Sequence, residues 1–197
     1  MRIVFMGTPD FAVPSLLALE RPGWQVVGVV TQPDRPRGRG QKVSFSPVKE
    51  AALSRQWPVL QPSRIKEESF QAQLAELNPD VIVVVAYGQL LPERILQLPP
   101  LGCINVHASL LPRYRGAAPI HWAIINGEQE TGITTMYMSR ELDAGDMILK
   151  ARVPISPADT FGTLHDRLAS LGADLLVQTL TLLERGQAPR ETQDHSQ

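Results

Sequence analysis

The chain has 197 residues, 43% of them hydrophobic, which suffices to bury a substantial core in one domain. Its 19 Lys and Arg nearly balance 20 Asp and Glu, a formal net charge of -1 that excludes a globally basic nucleic-acid-binding protein and leaves only local basic surfaces. One cysteine excludes an internal disulfide and fits a reducing compartment, and no apolar run approaches the ~20 residues of a membrane span.

The opening run Arg2-Ile3-Val4-Phe5-Met6 is too short for a signal peptide and has no cleavage-like region, so a soluble, cytoplasmic protein is expected. Residues 2–6 read as a buried first strand ending at Gly7. Thr8 is expected to cap the next helix, with Pro9 at its first position and Phe11, Leu16, Leu17 and Leu19 as apolar contacts up to about residue 20. A single glycine at this turn leaves the G-x-G-x-x-G dinucleotide fingerprint absent. The pattern is therefore Rossmann-like without a nicotinamide site. Residues 26–30 form the second strand.

Residues 32–42 carry two prolines, two glycines, four cations and one anion, the composition of an exposed, mobile loop. Arg35, Arg37, Arg39 and Lys42 there are open to two readings. They belong to a solvated connection, or to a finger that contacts phosphates, since arginine pairs bidentately with phosphate. Ser46-Pro47 fits an N-cap and first helical residue, opening a helix to about residue 55. A short strand at 59–60 and a polar amphipathic helix over 66–77, closed by Asn78-Pro79, follow. Residues 80–86 are an unbroken β-branched run, as in a central parallel strand covered on both faces. At its carboxyl end, Gly88 permits either a close backbone approach to a ligand or a turn into a helix near Pro92.

Residues 103–116 organise the chain. Asn105 and His107 alternate with Ile104 and Val106, so a strand there puts both polar side chains on one face. Pro112 and Gly116 then end regular structure, leaving an amide and an imidazole where a strand runs into a loop. In open α/β sheets that edge is where ligands bind. Cys103, in the same apolar strand, reads as a buried, inert thiol. A helix over 118–126 closes at Gly127. A strand over 131–138 has Ile133, Thr135 and Tyr137 on one face, and a turn at 140–144 leads to a returning strand over 147–153. Asp159-Thr160 is expected to cap a terminal helix with leucines at 164, 168, 171, 175 and 176, ending near Gly186. Residues 190–197 are polar and aperiodic. The expected fold is α/β: a Rossmann-like, mostly parallel sheet with helices on both faces and an added antiparallel strand pair.

Asp143, in the predicted turn, is distant from His107 in sequence, so only the fold can join them. A carboxylate beside the ring would orient it and stabilise positive charge there. The imidazole and the Asn105 amide could then donate to one oxygen, as acyl transfer requires when attack on a carbonyl builds charge. The bland alternative is two polar residues at a strand end and a turn former. His121 and His165 fall in predicted helices and His195 in the tail. No Cys/His cluster has metal-ligand spacing, so no metal is expected, and no P-loop or Gly-x-Ser-x-Gly element occurs.

Five motifs in order carry a resemblance. Asn105-Val106-His107, then Ser109-Leu110-Leu111-Pro112-Arg113-Tyr114-Arg115-Gly116, then Leu142-Asp143-Ala144-Gly145-Asp146 resemble the folate-dependent formyltransferases. Gly7-Thr8-Pro9-Asp10-Phe11 and Thr31-Gln32-Pro33-Asp34-Arg35-Pro36 narrow the resemblance to the methionyl-tRNA formyltransferases. It implies the formyltransferase fold and transfer of a formyl group from 10-formyltetrahydrofolate to the α-amino group of methionyl-initiator tRNA. Under it, Asn105, His107 and Asp143 are catalytic, stabilising the tetrahedral intermediate and handling the proton. Tyr87, Gly88, Gln89, Leu90, Ser109, Leu110, Leu111 and Pro112 line the folate site, and Arg35, Arg37, Arg39 and Lys42 meet the tRNA. Residues 1–189 are then the catalytic domain, with 190–197 a polar tail leading toward a C-terminal β-barrel domain absent from this chain. Initiator tRNA and folate are the expected partners, with no membrane and a monomeric state. The competing functions are the same donor used on a small amine (an amino-sugar nucleotide or glycinamide ribonucleotide), hydrolysis of the donor, and a folate-binding module without turnover.

Overall fold

Ile3, Val4, Phe5 and Met6 are all fully buried, which places strand β1 (Arg2–Gly7) inside a sheet covered on both faces. The computed structural model describes residues 1–197. After β1 come a 3-10 turn (Asp10–Ala12), α1 (Val13–Leu17), β2 (Gln25–Val30), β3 (Arg35–Arg37), β4 (Lys42–Ser44), α2 (Pro47–Ser54) and β5 (Val59–Leu60). Then follow α3 (Glu68–Glu76), β6 (Val81–Val85), α4 (Glu93–Leu96), β7 (Cys103–His107), α5 (Pro119–Ile125), β8 (Glu130–Tyr137), β9 (Met147–Pro154) and α6 (Phe161–Glu184). No helix is long and apolar enough to cross a membrane.

Seven strands form one sheet in the order β5-β2-β1-β6-β7-β8-β9. It is parallel as far as β7; β8 and β9 run antiparallel. The chain winds outward from β1 to β5, then restarts at β6 on the other side. That reversal is the switch point where such sheets open a crevice at the carboxyl ends of their strands. Alternate residues of β1 feed two cores. Ile3 and Phe5 pack with Leu16 of α1 and Leu168, Leu176 and Leu180 of α6, while Val4 and Met6 pack with Phe70 and Leu74 of α3 and Ile95 of α4. Helix α6 begins with a capping box, Thr160 and Thr163 serving each other's backbone N–H. Its Gly172 lies against Val106, so the helix backs the strand that carries Asn105 and His107.

Three local expectations give way to tertiary contacts. Thr8 is not a helix cap: its hydroxyl donates to Tyr87 O (2.9 Å), tying the end of β1 to the end of β6. Pro9 takes the cap position of the short 3-10 turn, and α1 stops at Leu17, ahead of Pro22 and Gly23. The segment 32–42 is not an irregular loop, since Arg35 to Arg37 pairs with Lys42 to Ser44 as a small antiparallel hairpin. Left-handed Gly38 (φ 75) and Gln41 (φ 46) reverse the chain there, and Pro36 is tolerated because the hairpin has only edges. Its exposure is as expected. Nor does the chain end as a free tail. Glu191 exchanges both backbone hydrogen bonds with Met147, and Gln193 is buried. Ser46, by contrast, caps α2 as expected, accepting from Lys49 N (3.1 Å) with Pro47 first in the helix.

Cys103 is buried, and burial pushes its thiol up to about 12. Folded protein at pH 8 is therefore expected to leave a chromogenic disulfide reagent unreacted, with one thiol titrating only after denaturant is added. Fast labelling without denaturant would mean that β7 frays.

Candidate active site

Strand β7 lies between parallel β6 and antiparallel β8, with Asn105 opposite Val84 and Met136, and His107 opposite Thr134. Its carboxyl end is thus held from both sides. The Asn105 Oδ1 atom is buried without a hydrogen-bond partner. Leaving such an atom unpaired costs about 1–3 kcal/mol, a cost that a ligand bound there would remove.

His107 is held at one ring nitrogen and faces a carboxylate with the other. Nε2 lies 2.8 Å from Tyr114 O. A carbonyl only accepts, so Nε2 carries the proton and donates it. Nδ1 faces Asp143 Oδ2 at 3.6 Å, beyond direct hydrogen bonding. Both side chains are about nine-tenths out of solvent, at 9% and 10% exposure. The fold therefore brings the three residues together. It differs from the sequence reading in one respect: with Nε2–H committed to Tyr114, only Nδ1 is left for a substrate.

The loop after β7 sets this geometry. Thr134 Oγ1 donates to Ser109 O (2.7 Å) and accepts from Leu111 N (3.1 Å), anchoring the loop to β8. The Leu111–Pro112 peptide is cis. Tyr114 (φ 56) and Gly116 (φ 84) are left-handed, which turns Tyr114 O toward the imidazole and Gly116 N toward Asp143 Oδ2 (2.7 Å). The Tyr114 hydroxyl donates to Glu128 Oε1 (2.6 Å), and it, with Arg113 adding less, holds the Glu128 carboxyl below the usual carboxylate range. Asp143 is itself left-handed (φ 50). At Gly145 a Cβ would overlap Tyr137 O, so only glycine fits this turn.

The residues expected along a folate slot are placed unevenly. Tyr87 turns its ring into the core, where burial pushes the phenol up to about 12, and only its carbonyl works at the edge. Ser109 and Leu111 are also buried, Ser109 Oγ donating to Arg113 O (2.6 Å). Leu110 is half-buried and packs at Gly132, and Leu90 is 63% exposed. Gly88 is left-handed (φ 103) and Gln89 is bonded to Gln32 (3.2 Å). Any ligand contact from Tyr87, Ser109 or Leu111 must come from the main chain. A polar cavity of about 600 Å³ opens beside this edge, lined among others by Thr8, Gln32, Arg35, Arg37, Gly88 and Gln89. Another, of about 660 Å³ between Trp24 and Trp57, lies at the amino ends of β1 and β2, far from the triad.

Asp34 is withdrawn from the hairpin's charge balance. Its carboxylate meets Lys49 Nζ at 2.7 Å, and Lys49 first and Gln61 second hold it below the usual carboxylate range. Arg35, Arg37, Arg39 and Lys42 have no carboxylate within ion-pair reach. Sequence reasoning passed over Thr134, the Tyr114 carbonyl and Gln193. Each acts through a backbone atom, its own or a distant residue's, which leaves no pattern in the chain.

An open α/β sheet with this added antiparallel pair is the formyltransferase fold. A crystal structure of glycinamide ribonucleotide transformylase 1 from Symbiobacterium toebii matches it with a TM-score of 0.78 at 22% identity, covering 98% of this chain and 94% of that one. The N-formyltransferase from Helicobacter canadensis, solved with folinic acid and dTDP-3-aminofucose, matches with a TM-score of 0.76 at 20% identity, covering 98% and 67%. The chain belongs to the formyl transferase family, which matches residues 1–180. The methionyl-tRNA formyltransferase of Desulforamulus reducens is 64% identical over 195 residues, covering 99% of this chain and 62% of that protein. The chain thus spans less than two thirds of the length of that relative.

Proposed function

We propose that this chain transfers a formyl group from 10-formyltetrahydrofolate to the α-amino group of methionyl-initiator tRNA, in the cytoplasm. The observation that carries the reading is the unpartnered, buried Asn105 Oδ1 beside His107 and Asp143 at the carboxyl edge of the sheet. The 64% identity to a methionyl-tRNA formyltransferase supports tRNA as the acceptor, and the folinic acid in the Helicobacter canadensis complex supports a folate as the donor.

Asn105 Nδ2 donates to the formyl oxygen as attack places charge on it, and the buried Oδ1 is left to accept from the attacking amine. His107 Nδ1, beside the Asp143 carboxylate, takes the proton that leaves the amine. No enzyme nucleophile takes part: Cys103 is buried in β7 and Ser109 Oγ is committed to Arg113 O. The amine attacks the formyl carbon directly, the tetrahedral intermediate breaks its bond to N10 of the donor, and the departing N10 receives the proton from His107 Nδ1. Main-chain groups of residues 87–92 and 109–112, with the exposed Leu90, hold the flat, partly apolar donor. The catalytic groups all lie within residues 1–189, and the hairpin cations engage the tRNA.

Formylation is measured by supplying 10-formyltetrahydrofolate with charged initiator tRNA, and in parallel with glycinamide ribonucleotide and amino-sugar nucleotides. Formylmethionine on the tRNA is the expected product. Faster transfer to either small amine, or formate released at an equal rate without acceptor, would replace this reading.

A further inference from the structure

Gln193 is only 3% exposed, although it lies in a polar segment near the end of the chain. Its amide is fully used. Nε2 donates to Asp143 O and to Gly145 O, both at 2.8 Å, while Oε1 accepts from Arg115 Nε (3.0 Å) and Nη2 (2.8 Å). The segment is docked independently of that side chain by the backbone pairing of Glu191 with Met147. Arg115 Nη2 also reaches His195 Nδ1 (3.1 Å).

The two loops that Gln193 joins are the two that hold the Asp143 carboxylate. One contains Gly116, next to Arg115, whose N–H donates to Asp143 Oδ2 at 2.7 Å. The other is the Asp143 turn, left-handed at a residue other than glycine, a conformation that persists only where its surroundings impose it. Freed of Gln193, that turn loses the donors to its carbonyls at residues 143 and 145. We infer that Gln193 is a positioning residue for the reaction: it clamps the Asp143 turn to the Arg115–Gly116 loop and thereby sets the carboxylate against His107 Nδ1. The inference rests on Asn105, His107 and Asp143 being the catalytic set. It makes the segment around residue 193 part of the active site's support.

The test uses Gln193→Ala and Gln193→Glu. The glutamate keeps the size and still accepts from Arg115, but cannot donate to the two carbonyls. Both variants should lower kcat roughly 10–100-fold, since a 1 Å misplacement at a reacting centre costs about that much, with KM for donor and acceptor changed less than about two-fold. In an Asp143→Asn background, Gln193→Ala should cost less than about two-fold more, because the two act through one carboxylate. The His107 imidazole resonances, read without substrates, should move in both Gln193 variants while those of His165 stay in place. Unchanged kcat with a lower Tm would reduce Gln193 to an anchor of the chain end. Losses that add to those of Asp143→Asn would equally overturn the proposal. Should the protein transfer no formyl group at all, the proposed function fails, and the His107 resonances still decide whether Gln193 positions Asp143.

Discussion

Asn105→Ala is expected to lower kcat by about 10²–10³ while leaving folate-analogue affinity within about two-fold, since one lost donor to a developing oxyanion has that cost. The same substitution should not destabilise the fold. No protein atom pairs with Asn105 Oδ1, so truncation removes a buried atom whose desolvation costs about 1–3 kcal/mol and breaks no bond to that atom. Activity and stability should therefore separate. His107→Ala and Asp143→Ala should be as inactive, but each also loses a structural bond, His107 to Tyr114 O and Asp143 to Gly116 N, so both should unfold at lower denaturant. Asp143→Asn retains an acceptor for Gly116 N and isolates the lost charge. Combined with His107→Ala, it should cost little beyond His107→Ala alone, because the pair manages one proton. Steady-state kinetics and denaturant unfolding on the same preparations check both halves. An Asn105→Ala protein that is active, or that is inactive and markedly less stable, contradicts the assignment of that amide to the substrate.

The parts of this molecule that could be read in advance are those whose signal is local. β1 and β6 are continuous apolar runs because both of their faces are covered, and Ser46-Pro47 satisfies a helix start within its own turn. Asn105 and His107 share a face because a strand has period two. Where the reading failed, a distant backbone group outcompeted a local option. The Thr8 hydroxyl could cap a helix, yet it spans to Tyr87 O on a neighbouring strand. The hairpin at 35–44 hides behind Pro36, Gly38 and Gly40, residues that argue against strands unless two short edges pair only with each other. The tautomer of His107 depends on the carbonyl of left-handed Tyr114, and every residue has a carbonyl, so nothing in the sequence marks that one. Gln193 is the extreme case. Its segment is polar and aperiodic, and its burial follows from four hydrogen bonds to loops far away in the chain.

Removing the hairpin's charge should produce the other large effect, on the acceptor alone. Replacing Arg35, Arg37, Arg39 and Lys42 together with Ala is expected to lower kcat/KM for charged tRNA by about 10²–10³ at moderate salt, if each cation neutralises one phosphate. The reasoning starts from Asp34. Because Lys49 already neutralises it at 2.7 Å, the four cations stand on the hairpin without compensation in a chain whose net charge is -1. Their roles should differ by position. Arg35 and Arg37 line the polar cavity beside the sheet edge, where an arginine can contact the end of a bound nucleic acid near the chemistry. Arg39 sits at the turn between Gly38 and Gly40, exposed and unpaired, where it can reach phosphates farther along the acceptor stem. Arg39→Ala should thus weaken tRNA use several-fold and reduce the slope of log K against log salt by about 0.7–0.9, the share of one phosphate. Single Arg35→Ala and Arg37→Ala variants should do the same and also lower the rate at saturating tRNA, through misplacement of the acceptor end. Donor binding should not change in any of them. The measurement is formylation of charged initiator tRNA across a salt series, with folate-analogue binding as the control. If the quadruple variant formylates tRNA at the wild-type rate at every salt concentration, the hairpin is a solvated projection, and the acceptor must be sought among small amines.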